Sequence, residues 1–221
     1  MKCTLLFTLS WGAVAFTPAA TIYDNSQTDT GYSVSYTANA YSQIGDQITL
    51  GGTDRYLNSA NVQFYNNALT SGTFTAILRF WNAGSPVGSQ IGGDFTLNLS
   101  INANAVLTVG FANLNLDVTG TNNLIFTVEV QNAGSLDLML NQFEGGTPGG
   151  PIGPGPGASD NTFFIARDAG GFFQALPSPV DQGNLFFQLN ASASAVPEPS
   201  SLALLSGAAL AGLWRLRRKS A

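Results

Sequence analysis

From Thr21 to Ser194 apolar and polar side chains alternate with a period of two, the spacing that sends successive residues to opposite faces of a pleated strand. The clearest run is Asp94 to Asn102, where Phe95, Leu97, Leu99 and Ile101 fall on one side and Thr96, Asn98 and Ser100 on the other. Leu124, Phe126, Val128 and Val130 repeat the pattern, with Thr127, Glu129 and Gln131 opposite them. So do Leu136, Leu138 and Leu140, and then Leu185, Phe187 and Leu189. Val62 and Phe64 open an earlier strand, and Phe74, Ala76, Leu78 and Phe80 line the next. Between these two, Asn66 to Gly72 is turn chemistry, because Asn and Gly tolerate positive φ and Asn and Ser bond back to the chain. The two runs are therefore expected to form a hairpin or adjacent strands.

Further strands are expected near Gly31 to Tyr36, Gln43 to Leu50, Ala105 to Leu116, Thr162 to Asp168 and Gly170 to Leu176. Roughly ten short strands without helical periodicity predict an all-β fold. An antiparallel two-sheet sandwich, jelly-roll or Ig-like in style, is the first expectation and a closed barrel the second. One interruption, 145–157, alternates Gly and Pro. Glycine resists ordering and proline cannot donate to a ladder, so this is a surface loop inserted in the sandwich. No Lys-Ser or Lys-Thr follows its glycines, which excludes a phosphate-binding loop.

The two ends break the period. Residues 1–20 carry one early charge, Lys2, then an apolar run around Leu5, Leu6, Phe7 and Leu9, then small residues including Ala13-Val14-Ala15. That is the layout of a secretory signal peptide. At the other end, Val196-Pro197-Glu198-Pro199-Ser200 is stiff and extended, since each proline fixes its own φ and restricts the residue before it. The apolar run Leu202 to Trp214 follows, and then the basic residues Arg215, Arg217, Arg218 and Lys219. A transmembrane helix over 200–216 rises about 25 Å, against a hydrocarbon core of about 30 Å. Snorkelling basic side chains cover part of the gap, so the anchor is real but marginal. The chain thus divides into a signal peptide (1–20), a sandwich (21–195) and a C-terminal segment (196–221).

That segment resembles the PEP-CTERM sorting signal of Gram-negative bacteria: the Pro-Glu-Pro motif, an apolar helix and an Arg-rich stop, in that order. The resemblance implies a precursor held in the inner membrane by a transient anchor and recognised by exosortase, a membrane-embedded processing enzyme. It further implies a mature protein at the cell surface or outside the cell, associated with exopolysaccharide and biofilm. Val196, Pro197, Glu198, Pro199 and Ser200 carry over as the recognition motif, and the basic residues as the stop.

Composition narrows the body's chemistry. Net charge is -5, but residues 21–195 hold three arginines against twelve carboxylates, a sign that repels phosphate backbones and excludes nucleic acid. One cysteine, Cys3, and no histidine remove disulfides, thiolate nucleophiles, imidazole bases and zinc sites. Paired carboxylates are the remaining route to hydrolysis, and Asp24, Asp29, Asp46, Asp54, Glu144, Asp160, Asp168 and Asp181 are expected in loop-rich positions. Solvated loop carboxylates are the simpler explanation, and the body is expected not to be an enzyme. Acidic loops would suit calcium, but no D-x-D-x-D-G loop is present and no cofactor is expected. The alternative to a matrix protein is a carbohydrate-binding module that stacks sugar rings on Trp81 and Tyr65, which fall out of phase with the inward sets. A glycosidase stands behind both.

Overall fold

The computed structural model describes residues 19–26, 29–36, 41–84, 87–144, 156–166, 173–177 and 183–194. The expected signal peptide up to residue 18, the loop up to residue 155 and the whole of 196–221, with its helix, lie outside the described residues.

Among the described residues, period-two patterning becomes thirteen strands. They are β1 Ala20–Asn25, β2 Asp29–Ser35, β3 Gln43–Thr49, β4 Tyr56–Asn66, β5 Gly72–Ala83, β6 Val87–Ile101 and β7 Ala105–Asp117. The remainder are β8 Asn123–Gln131, β9 Leu138–Glu144, β10 Ala158–Ala166, β11 Phe173–Pro177, β12 Gly183–Leu185 and β13 Phe187–Ser192. One sheet runs β1-β13-β4-β9-β12, with β2 on β9 and β7 on β4; the other runs β11-β10-β3-β8-β5-β6. Pairing within both is antiparallel. Two separate sheets make a sandwich, not a barrel. Several strands exceed the short lengths expected: β6 has 15 residues and β7 has 13.

β12 and β13 are one run bent at Phe186, whose N–H donates to Asn141 O at 2.9 Å. Before the bend Leu185 pairs with Gln142 of β9; after it Phe187 pairs with Val62 of β4. Beyond the fork β4 and β9 pair directly, Phe64 against Leu140. This wedge carries Phe187 into the middle of the core. Its ring stacks on Phe126 of the other sheet at 3.8 Å and 5°, with Tyr23 at 6.1 Å and Phe80 at 6.3 Å.

Val62, Phe64, Phe74, Ala76, Leu78, Phe80, Leu124, Phe126, Val128, Leu185, Phe187 and Leu189 are all buried, as the alternation requires. Phe95, Leu97 and Leu99 pack on the core but are only partly buried, because β6 is the last strand of its sheet. Two expectations need correcting. β4 and β5 are not a hairpin: they lie in different sheets, joined by an arch across the sandwich. Asn66 decides this, since it is buried and its Nδ2 donates to Thr70 O and Asn102 O, each at 2.9 Å, while Oδ1 accepts from Ala68 N–H at 3.1 Å. A hairpin would leave that amide in water.

Asp46 is not in a loop, and neither are Asp24 in β1, Asp29 in β2, Glu144 in β9 or Asp160 in β10. Asp46 sits in β3 between the inward-facing Ile44 and Ile48, with no exposed surface. Ser159 Oγ lies 3.4 Å from its Oδ1 and 2.8 Å from Asn184 Oδ1, so a small polar cluster occupies the interior between the layers.

β3 and β8 approach so closely that Gly45 has no room for a side chain: an added Cβ would lie 2.1 Å from Phe126 O and 2.7 Å from Thr127 Cγ2. The backbone oxygen cannot move aside without breaking the ladder. Gly45→Ala should therefore cost about 1 to 3 kcal/mol, as overpacking does. Gly93→Ala is the control, because nothing lies within 4 Å of its Cβ position. Paired thermal and denaturant melts of the two variants check this; equal stability would refute the close approach.

Candidate functional site

The sorting motif residues Val196, Pro197, Glu198, Pro199 and Ser200 and the basic residues Arg215, Arg217, Arg218 and Lys219 lie outside the described residues. Site geometry on the body therefore concerns its two outer faces.

On the sheet containing β5, Trp81 and Arg79 point outward because Phe80 and Leu78 point in. The Trp81 Nε1–H donates to Thr127 Oγ1 at 2.9 Å, and Thr127 donates on to Gln43 Oε1 at 3.1 Å. This chain crosses β5, β8 and β3, and Thr127 beneath it is fully buried. The ring is pinned by its own N–H and keeps one part exposed. Beside it, Arg79 Nε and Nη2 grip Asp94 at 2.7 and 2.8 Å, and Nη1 reaches Glu129 Oε2 at 2.5 Å. Gln90 donates to Asp94 Oδ1 at 3.0 Å, and the Gln131 amide donates to Glu129 Oε1.

The hydrogen bond to Asp94 raises the Arg79 guanidinium above its ordinary pKa against the opposing effect of burial, and the bonds to Glu129 add to it. The hydrogen bond from Arg79, in turn, lowers the Asp94 carboxyl. Two carboxylates do meet here, but around one cation that both already satisfy, which is a staple across β6, β5 and β8 and not an acid–base pair. Tyr36 closes the layer nearby, its Oη donating to Val128 O at 2.8 Å. Burial first, and the Glu129 charge second, hold its phenol well above the usual range, so it stays protonated.

The opposite outer face is a ladder of amides and hydroxyls that takes in one carboxylate, Asp24. Asn61 Nδ2 donates to Gln188 Oε1 at 3.0 Å, and Gln188 Nε2 donates to Asp24 at 3.1 Å and Ser26 at 2.9 Å. Asn141 Nδ2 donates to Gln63 at 2.7 Å, and Gln63 Nε2 to Thr108 at 3.2 Å. Thr21 donates to Asn190 at 2.8 Å, and Asn190 to Ser59 at 3.1 Å. Tyr65 ends the array, its Oη donating to Asn104 Oδ1 at 2.6 Å.

Trp81 and Tyr65 both face outward, as their phase predicts, but on different sheets: they are on opposite sides of the sandwich and do not form one platform. Among the described residues no three His, Cys, Asp or Glu side chains form a group that could hold a metal ion. Asp168 and Asp181 lie outside the described residues. The Arg79 staple is invisible to single-strand patterning, because Arg79, Asp94 and Glu129 meet only once β5 is known to lie between β6 and β8.

Residues 195–219 match the family described as the PEP-CTERM protein-sorting motif. The chain carries that motif, on the segment where Val196 to Ser200 and the basic residues stand. No curated protein matches the chain. Among the described residues no helix is long and apolar enough to cross a membrane.

The staple has a pH signature. Asp94 is depressed in the folded state, so its contribution is complete above the unfolded Asp value of about 3.9 and is lost as pH falls through the lower folded value. Asp94→Asn should accordingly lower the melting temperature at neutral pH, with the gap to the parent closing as the buffer is taken into the acid range. A gap that does not change with pH would place the loss in packing instead.

Proposed function

We propose that this chain is an exported, non-enzymatic protein of a Gram-negative cell surface or extracellular matrix, sorted by exosortase through its PEP-CTERM signal and lodged among exopolysaccharide in a biofilm. The observation that carries the reading is the sorting motif at residues 195–219. The body supports it in a different way: Arg79 is spent on Asp94 and Glu129, and one face is an array of amides and hydroxyls that bond to one another. Such a surface keeps company with water and glycans without selecting one small ligand.

The tail works by being barely sufficient. Its apolar run is short for a bilayer, so the precursor halts in the inner membrane with the body outside and Arg215, Arg217, Arg218 and Lys219 on the cytoplasmic side. Gly207, Ala208, Ala209, Ala211 and Gly212 keep the helix narrow, which lets another membrane helix approach closely. Pro197 and Pro199 present Glu198 on an extended peptide that a processing cleft accepts without first unwinding a helix.

Mass spectrometry of the mature C-terminus, after cell fractionation, tests this. In cells that contain exosortase the released protein should end near Pro197 to Ser200, and Glu198→Ala or Pro199→Ala should trap precursor in the inner membrane. A wild-type chain still ending at Ala221 in that membrane overturns the sorting reading.

A carbohydrate-binding module is the second reading, favoured by the partly exposed Trp81 and Tyr65 rings. Because these occupy opposite faces, it commits to one of them at a time. Retention on cellulose, chitin or the host polysaccharide that is lost in Trp81→Ala, or in Tyr65→Ala, would favour it over the matrix reading. Weak retention insensitive to either substitution would favour the matrix reading.

A further inference from the structure

β6 and β7 are consecutive, yet each is the last strand of a different sheet. β6 pairs only with β5 and β7 only with β4, and among the described residues no strand lies on their other sides. The turn Asn102 to Asn104 joins them, so both free edges open on the same flank of the sandwich. Irregularities sit at the far ends alone: Gly92 at φ 71° in β6, and Asn113 and Asn115 at φ 57° and 44° in β7. Between them, Phe95 to Ile101 and Ala105 to Ala112 run in unbroken register with their inner neighbours.

Exposed edges are ordinarily guarded by lysine, proline, brevity or a covering element. Here Phe95 to Leu116 contains no ionisable residue and no proline. Phe95, Leu97 and Leu99 of β6 and Leu107 of β7 face the core yet are only partly buried, so the apolar layer reaches solvent along this flank. Elsewhere the body, with three arginines against twelve carboxylates in residues 21–195, repels its like. On this flank it does not.

We propose that the β6–β7 flank is a self-association surface through which a second copy of this chain extends both sheets at once. The occupant follows from the geometry. Filling both edges needs a partner with two strand edges set one sheet spacing apart, about 10 Å. A single peptide fills one edge and leaves the other open. A second copy, turned about a two-fold axis normal to the layers, sets its own β6 antiparallel to β6 and its own β7 antiparallel to β7, and no charge opposes the approach. Covering Phe95, Leu97, Leu99 and Leu107 then removes apolar surface from water. Association of this kind needs no sorting step, and it fails or holds independently of the proposed function.

The test uses the full chain in detergent excess, where sedimentation equilibrium should give the mass of a dimer. Thr96→Lys with Asn98→Lys places charge on the solvent face of β6, where a second copy would bring the same charge opposite. Monomer mass with an unchanged circular dichroism spectrum is the expected result. Association driven by the apolar tail would ignore these lysines, which separates the two. For a readout that does not depend on the lysine variant folding, Cys3→Ser removes the one native thiol. Single cysteines at Thr96, Asn98 and Ser100, alone and in pairwise mixtures, should then give disulfide dimers at one register, while Thr49→Cys on β3 gives none. A wild-type chain that is monomeric at every concentration overturns the proposal. So does a dimer that survives both lysines and yields no cross-link on β6.

Discussion

The stack of Phe187 on Phe126 is the contact on which the rest of the sandwich is built. At 3.8 Å and 5° it joins β13 of one sheet to β8 in the middle of the other, and Tyr23 and Phe80 close around the same ring. An aromatic pair of this kind adds about 0.5 to 1.5 kcal/mol beyond the area it buries. Its larger role is positional. Phe187 reaches the centre only because the run from Gly183 to Ser192 bends at Phe186 and changes partner from β9 to β4. With no disulfide available, the layers depend on packing of this sort and on ladders that leave no slack, such as the one that forbids a side chain at Gly45.

The two flanks of the molecule are treated differently. On the outer face of one sheet, Arg79 draws β6, β5 and β8 together through Asp94 and Glu129, so the charges available there are consumed internally. At the end of the sandwich, Asn66 ties the β4–β5 arch to the β6–β7 arch, and Asn104 N–H donates to Ala68 O at 3.0 Å to complete the join. These bonds set the two arches side by side. As a consequence β6 and β7 end their sheets in parallel positions on one flank. The free edges are thus products of the turn chemistry, not loose ends of the fold.

Much of the layering was legible in the sequence, because a period of two permits one inward set per strand and the buried residues from Val62 to Leu189 follow it. What the pattern could not hold was the assignment of strands to sheets. Asn66 to Gly72 carries turn residues that serve a hairpin and an arch alike; the difference lies in a buried amide with three partners, two inside that stretch and one, Asn102 O, 36 residues further along the chain. Asp46 was misplaced for a related reason. Its phase within β3 points inward, but a lone carboxylate argues for water unless Ser159, 113 residues away, is known to stand opposite. Trp81 and Tyr65 were correctly read as outward, and only topology could reveal that they face away from each other.

The sorting motif was legible for the opposite reason: it is local. A stiff Pro-Glu-Pro spacer, an apolar run and a basic stop are recognised by their order along the chain, without reference to any tertiary contact. The body works by the reverse logic. Its features arise where distant residues converge, so its composition announces little. The division is one of range along the chain. The motif is read from residues 195–219 alone, whereas the described hydrogen bonds of the sandwich join residues as far apart as Thr21 and Asn190. Among the described residues β6 and β7 end their sheets side by side, a placement that only the pairing of β5 with β6 and of β4 with β7 creates.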